Sequence, residues 1–152
     1  LYMNLPKTRL NKLRSTLNGA VRFIYNIEDR TTDLVPFYKK AHILPIDQRI
    51  FFKVCLSTNK SVHGTAPDYL KALLDVDVVD KELSNTMTMT RSKRPGDHLM
   101  LKVPKNKKSK VDDRRFSSHA PIAWNSLPLM LRCITDTNCF KRMLKNHLYN
   151  QF

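Results

Sequence analysis

Apolar residues recur at three- and four-residue spacing through residues 5–26, at Leu10, Leu13, Leu17, Ala20, Val21 and Ile24. This period predicts a helix, with Lys7, Asn11, Lys12, Arg14, Ser15, Asn18 and Arg22 on its other faces. Pro6 suits its first turn, where a missing N–H goes unnoticed. Asn26–Asp33 is polar and reads as a connection. Pro36 opens a short helix through Phe37, Tyr38 and Ala41, and Pro45 a longer one with Ile46, Ile50, Val54, Phe51 and Cys55 inward. Gly64 suits the end of that helix. Pro67 opens another, with Tyr69, Leu70, Leu73 and Leu74 inward. Three successive helices opening on proline form a consistent pattern.

The period then changes. Thr86–Thr90 and His98–Val103 alternate with period two around Pro95-Gly96-Asp97, which predicts a two-stranded hairpin. Lys105–Asp113 has no apolar period and reads as a basic loop. Ser117 or Ser118 can cap a helix carrying Ile122, Ala123 and Trp124. Thr135-Asp136 can start a last helix with Phe140, Met143, Leu144, His147 and Leu148 on its apolar face. The expected class is therefore mainly α, a helical bundle with one small β-hairpin near residues 86–103. The expected division is a helical region 1–74, an acidic linker 75–85, and a region 86–152 holding the hairpin, the basic loop and the C-terminal helices, unless all three pack as one unit.

Charge changes the picture most. The 152 residues carry 27 Lys+Arg against 13 Asp+Glu, a net +14. Residues 86–152 hold 14 of the basic and 4 of the acidic side chains, and Lys102–Arg115 alone holds seven basic and two acidic ones. Asp68–Glu82, by contrast, is net negative. Such segregation favours a polyanionic partner, nucleic acid before an anionic membrane. No apolar run approaches the ~20 residues that span a bilayer, and no secretory leader is seen. Cys55, Cys133 and Cys139 are odd in number and widely spaced, which favours a reducing compartment, and the expected setting is intracellular, cytoplasmic and nuclear. A first residue of Leu suggests a piece of a longer chain.

The candidate nucleic-acid contacts are Lys102, Lys105, Lys107, Lys108, Lys110, Arg114 and Arg115, joined across the expected hairpin by Arg91, Lys93 and Arg94. Lysine outnumbers arginine in the run, which favours phosphate attraction over base reading. Lys7, Lys12 and Arg14, with Arg9, form a second candidate row on the first helix. Other chemistries lack their patterns. Asp112-Asp113 has no apolar strand on either side, and Asp75, Asp77, Asp80 and Glu82 lack the glycine and spacing of a calcium loop. Cys133, Cys139 and His147 contain no CxxC, so a core cysteine is the better reading than zinc. Ser117, Ser118 and His119 lack a nucleophile elbow. Trp124, the single tryptophan, sits among Ile122, Leu127, Leu129 and Leu131 and is expected to anchor a core rather than stack on a base. His42, beside Leu44-Pro45, reads as a hydrogen-bonding residue of a helix junction.

Taken in order, certain landmarks form one pattern: Leu5-Pro6 with its helix, His42-Ile43-Leu44-Pro45-Ile46, Lys60 with Gly64-Thr65-Ala66-Pro67-Asp68-Tyr69-Leu70, Arg91-Ser92, Val103-Pro104, Trp124 between Pro121 and Pro128, and the tail Phe140-Lys141 to His147-Leu148. This order resembles the C-terminal, thumb and post-thumb region of the reverse transcriptases of non-LTR, LINE-type (jockey-like) retrotransposons. Ile43 and Asn59 depart from that family's aromatic residues. The resemblance implies a non-catalytic portion of an RNA-directed DNA polymerase that helps hold an RNA/DNA template–primer duplex, with the palm and fingers of the parent protein as further partners. The palm's aromatic-x-Asp-Asp turn, which would hold two Mg²⁺ ions about 4 Å apart, is absent, so no cofactor is expected in this portion. The alternative is a free-standing helical module, derived from such an element, that binds nucleic acid or docks a protein between the first and third helices.

Overall fold

The computed structural model describes residues 5–74, 100–104 and 115–151. Seven helices lie among them: α1 Lys7–Ile24, α2 Val35–Lys40, α3 Ile46–Val62, α4 Asp68–Ala72, α5 Phe116–Asn125, α6 Leu129–Arg132 and α7 Thr137–Tyr149. The mainly helical class holds, with no strand among the described residues.

Proline starts most of these helices. Pro6, Pro45, Pro67 and Pro128 occupy the N-caps of α1, α3, α4 and α6, with φ between −51° and −55° and ψ between 137° and 155°. The ring fixes φ there and removes an N–H that would find no intrahelical acceptor. Pro36 lies in the first turn of α2. Asp136 caps α7 by accepting from the Cys139 amide at 2.7 Å.

The first three helices also stop alike. Ile27, Ile43 and Thr65 donate backward to the carbonyls of Arg22, Tyr38 and Lys60, at 2.9, 3.0 and 2.9 Å. The residue before each donor is left-handed: Asn26 at φ 51°, His42 at 53° and Gly64 at 76°. This is the Schellman termination, in which one positive-φ residue turns the chain so that the last carbonyls find donors. Between α1 and α2, Arg22 donates to the carbonyls of Asp29, Arg30 and Thr32. In the same loop the Thr31 hydroxyl and amide hold the Asp29 carboxyl below its ordinary range.

α3 runs through the centre, packed against α5 and α7. The main core joins Leu44, Phe52, Val54, Cys55 and Leu74 to Leu101, Phe116, Ala123, Trp124, Phe140, Leu144 and Leu148, so residues before and after the acidic stretch share it. A satellite cluster of Val21, Leu34 and Tyr38 lies between α1 and α2, where the Tyr38 hydroxyl meets Asn18 Oδ1 at 2.6 Å.

Four expectations need correction. The strand expected over His98–Val103 is not formed at Met100–Val103. The Leu101 N–H and C=O are instead engaged by the Asn125 side chain, at 2.9 and 2.8 Å, so they are not free to pair with a strand. The rest of the expected hairpin, residues 86–99, lies outside the described residues. α5 begins at Phe116 with Arg115 as its N-cap and no side-chain cap, so Ser117 and Ser118 are inside it. Burial of Phe116 places the start earlier than the serines suggested. α4 and the two residues after it bury only Leu74 of the expected face, while Tyr69 and Leu73 are 66% and 47% exposed, because five residues of helix make little more than one turn. On α1, Val21 is buried, while Leu13 and Ile24 lie exposed with Phe23.

Candidate nucleic-acid interface

The two described ends of the basic run are fixed by α5. Asn125, the last residue of that helix, bridges the Leu101 backbone and so places exposed Lys102 beside the helix C-terminus. Arg115, also exposed, caps the N-terminus. Ten residues of helix put these anchors about 15 Å apart. The platform between them is rigid, because Ala120, Pro121, Ala123 and Trp124 are all buried. Trp124 is fully buried, its ring centroid 5.8 Å from that of Phe140 on α7. It is a core residue, as its neighbours in sequence suggested. Lys105, Lys107, Lys108, Lys110, Arg114, Arg91, Lys93, Arg94 and the Asp112-Asp113 pair lie outside the described residues.

On α1, Lys7, Lys12 and Arg14 are exposed. Arg14 is engaged: its Nε and Nη2 both donate to Asp47 Oδ2, at 3.0 and 2.7 Å. That leaves Lys7 and Lys12 as the more available charges of this row.

A second cationic feature escaped the sequence reading. Arg49 and Lys53 on α3 face Lys141 and Lys145 on α7 across a cleft of about 210 Å³, with His42 at its edge and Leu44 and Phe52 among its walls. The signal was present as two pairs of cations at four-residue spacing, the spacing that brings side chains to one helix face. It was overshadowed by the apolar residues of the same helices.

No triad of His, Cys, Asp or Glu able to hold a metal occurs among the described residues. The core position expected for Cys139 is not fully reached: Cys139 is half-buried beside Phe140 and Cys133 is exposed, while Cys55 is the buried cysteine. Burial pushes its thiol up to about 12. His42 is a junction residue: its left-handed backbone ends α2 and its ring meets the Tyr149 ring edge-on at 6.3 Å. No helix among the described residues is long and apolar enough to cross a membrane. No family model, curated protein or solved structure matches the chain.

Proposed function

We propose that the chain is the thumb and post-thumb portion of a non-LTR retrotransposon reverse transcriptase, and that it holds an RNA/DNA template–primer duplex without performing chemistry itself. The observation that carries the binding reading is the basic run Lys102–Arg115, whose described ends lie at the two ends of the core-packed helix α5. Lysines clustered in sequence can meet successive phosphates, and each neutralised phosphate releases counterions. The family assignment rests on the ordered landmarks. Several of them are joints of the fold: Pro45 and Pro67 start helices, His42 and Gly64 end them, and Trp124 fills the core.

The test is anisotropy of a labelled RNA/DNA hybrid titrated across salt concentration. Replacing Lys102, Lys105, Lys107, Lys108 and Lys110 with glutamine should weaken binding at every sequence and flatten the log–log salt slope by about 4. A wild-type chain that ignores the hybrid at low salt defeats the reading.

One observation favours a second reading, a free-standing interaction module. Leu13, Phe23 and Ile24 are 40%, 89% and 62% exposed along α1, and exposed apolar rows mark protein-docking faces. Binding to a protein partner that does not respond to salt would favour it.

A further inference from the structure

We infer that the cleft between α3 and α7 is a second phosphate-binding site, one that engages the backbone of a bound nucleic-acid strand. No described residue of the basic run lines this cleft, and only the identity of the phosphate carrier rests on the proposed function. Four cations line this cleft: Arg49 and Lys53 from α3, and Lys141 and Lys145 from α7, the Lys145 ammonium lying 5.6 Å from the centre of the Tyr149 ring. Four-residue spacing sets the members of each pair about 6 Å apart along their helix. Arg49, Lys53 and Lys141 have no carboxylate partner among the described residues; the ion pairs of Arg14 with Asp47 and of Lys71 with Asp68 lie elsewhere. Asp47, two residues before Arg49, points away from it around the helix and is committed to Arg14.

Like charges at this spacing repel, and low-dielectric walls such as Leu44 and Phe52 focus the field into the opening. A bound anion relieves that repulsion. Size and chemistry specify which anion. A volume of about 210 Å³ is below the ~300 Å³ at which drug-sized pockets begin, which suits a phosphate group better than an enclosed small molecule. The lining carries no amide or carboxylate side chain to read a base edge. Arginine and lysine together grip phosphate without regard to sequence. His42 adds a group at the rim. Its left-handed backbone would be met more cheaply by glycine, and the imidazole supplies a ring nitrogen beside the cationic rows.

The decisive experiment compares double variants of the whole 152-residue chain. R49Q/K53Q and K141Q/K145Q each remove two charges from the cleft, and K40Q/K60Q removes two from elsewhere. Circular dichroism should show unchanged helix content, since all six side chains are exposed or half-exposed. With a labelled RNA/DNA hybrid, each cleft variant should bind at least tenfold more weakly at low salt, with a salt slope shallower by about 2. The comparator should change less than threefold. Equal losses in all three variants would reduce the cleft to general charge and overturn the inference, while leaving nucleic-acid binding intact. If the wild-type chain binds no hybrid at all, the reading of function falls and inorganic tripolyphosphate decides the cleft. It should raise the melting temperature of the wild type and of K40Q/K60Q and fail to do so in either cleft variant. A rise that persists in the cleft variants, or is missing from the wild type, overturns the inference.

Discussion

Burial divides otherwise similar side chains into different chemical behaviours. Cys55 is wholly enclosed by the core and its thiol is pushed up to about 12, whereas Cys133 is open to solvent and Cys139 half so. A thiol reacts as its thiolate and only when reached. Titration of the native protein with a disulfide reagent at pH 8 should therefore find two reactive thiols, and the third should appear only on unfolding. Three fast thiols would show that the α3 core is looser than its packing indicates. His63 gives the corresponding pH effect. It caps the C-terminal end of α3, its Nε2 is buried without a hydrogen-bond partner among the described residues, and desolvation lowers its pKa from 6.5. The unfolded chain thus takes up this proton more readily than the folded one. The stability His63 allows is complete above pH 6.5 and declines as pH falls from there through the lower, folded value. Urea midpoints measured from pH 7.5 to 5.0 should fall, and His63→Gln should flatten that part of the profile. An unchanged slope in the variant would assign the acid sensitivity to other groups.

At the scale of elements, most of what the sequence disclosed was local. Proline and the three- and four-residue period marked α1, α2, α3 and α4, and the Asp136 cap marked the start of α7. The period shows that a face is apolar without showing what covers it, so α1 and α4 bury less of theirs than expected. α6 followed Pro128 unnoticed, because a four-residue helix has no room for a period. The missing strand at Leu101 has a similar cause: alternation was legible, but a bond from Asn125, 24 positions away, was not. Of the candidate interface, the basic run was plain in composition, whereas the α3–α7 cleft required knowing that two helices face each other. The elements also carry distinct stabilities. Trp124→Ala, which empties the contact with Phe140, should lower unfolding free energy by about 3–5 kcal/mol. Ile122→Ala, two residues away and half-exposed, should stay within about 0.5 kcal/mol. Asn125→Ala leaves the Leu101 N–H and C=O without their partner and should lower stability by about 1–3 kcal/mol. Equilibrium urea denaturation checks all three. A Trp124 effect no larger than that of Ile122 would contradict the role of the indole as core anchor.

The whole molecule is organised around two apolar clusters of unequal size. The larger joins α3, α5, α6 and α7 with Leu74 and Leu101, while the smaller comprises residues of α1, α2 and the turn between them, with Ile43 just beyond α2. Among the described residues the links between the two are few: the α1–α3 contact, the surface pair Arg14–Asp47, the edge-on contact of the His42 and Tyr149 rings, and the Ile43-Leu44 step, where adjacent residues enter different clusters. Surface ion pairs contribute only about 0–1 kcal/mol, so the link is weak compared with either cluster. Regions with few buried apolar contacts open below the global unfolding free energy. Amide exchange should therefore show α1 and α2 opening as one unit, at least about 2 kcal/mol more readily than α3, α5 and α7. Asp47→Ala should increase that opening by no more than about 1 kcal/mol. The same experiment bears on binding. If phosphates lodge mainly in the α3–α7 cleft and along α5, a saturating RNA/DNA hybrid should deepen protection of the larger cluster and leave α1 nearly unchanged. If the Lys7 and Lys12 row carries the duplex instead, protection should rise first in α1. Equal protection of α1 and α3 in the free protein would show that the two clusters fold as a single cooperative body.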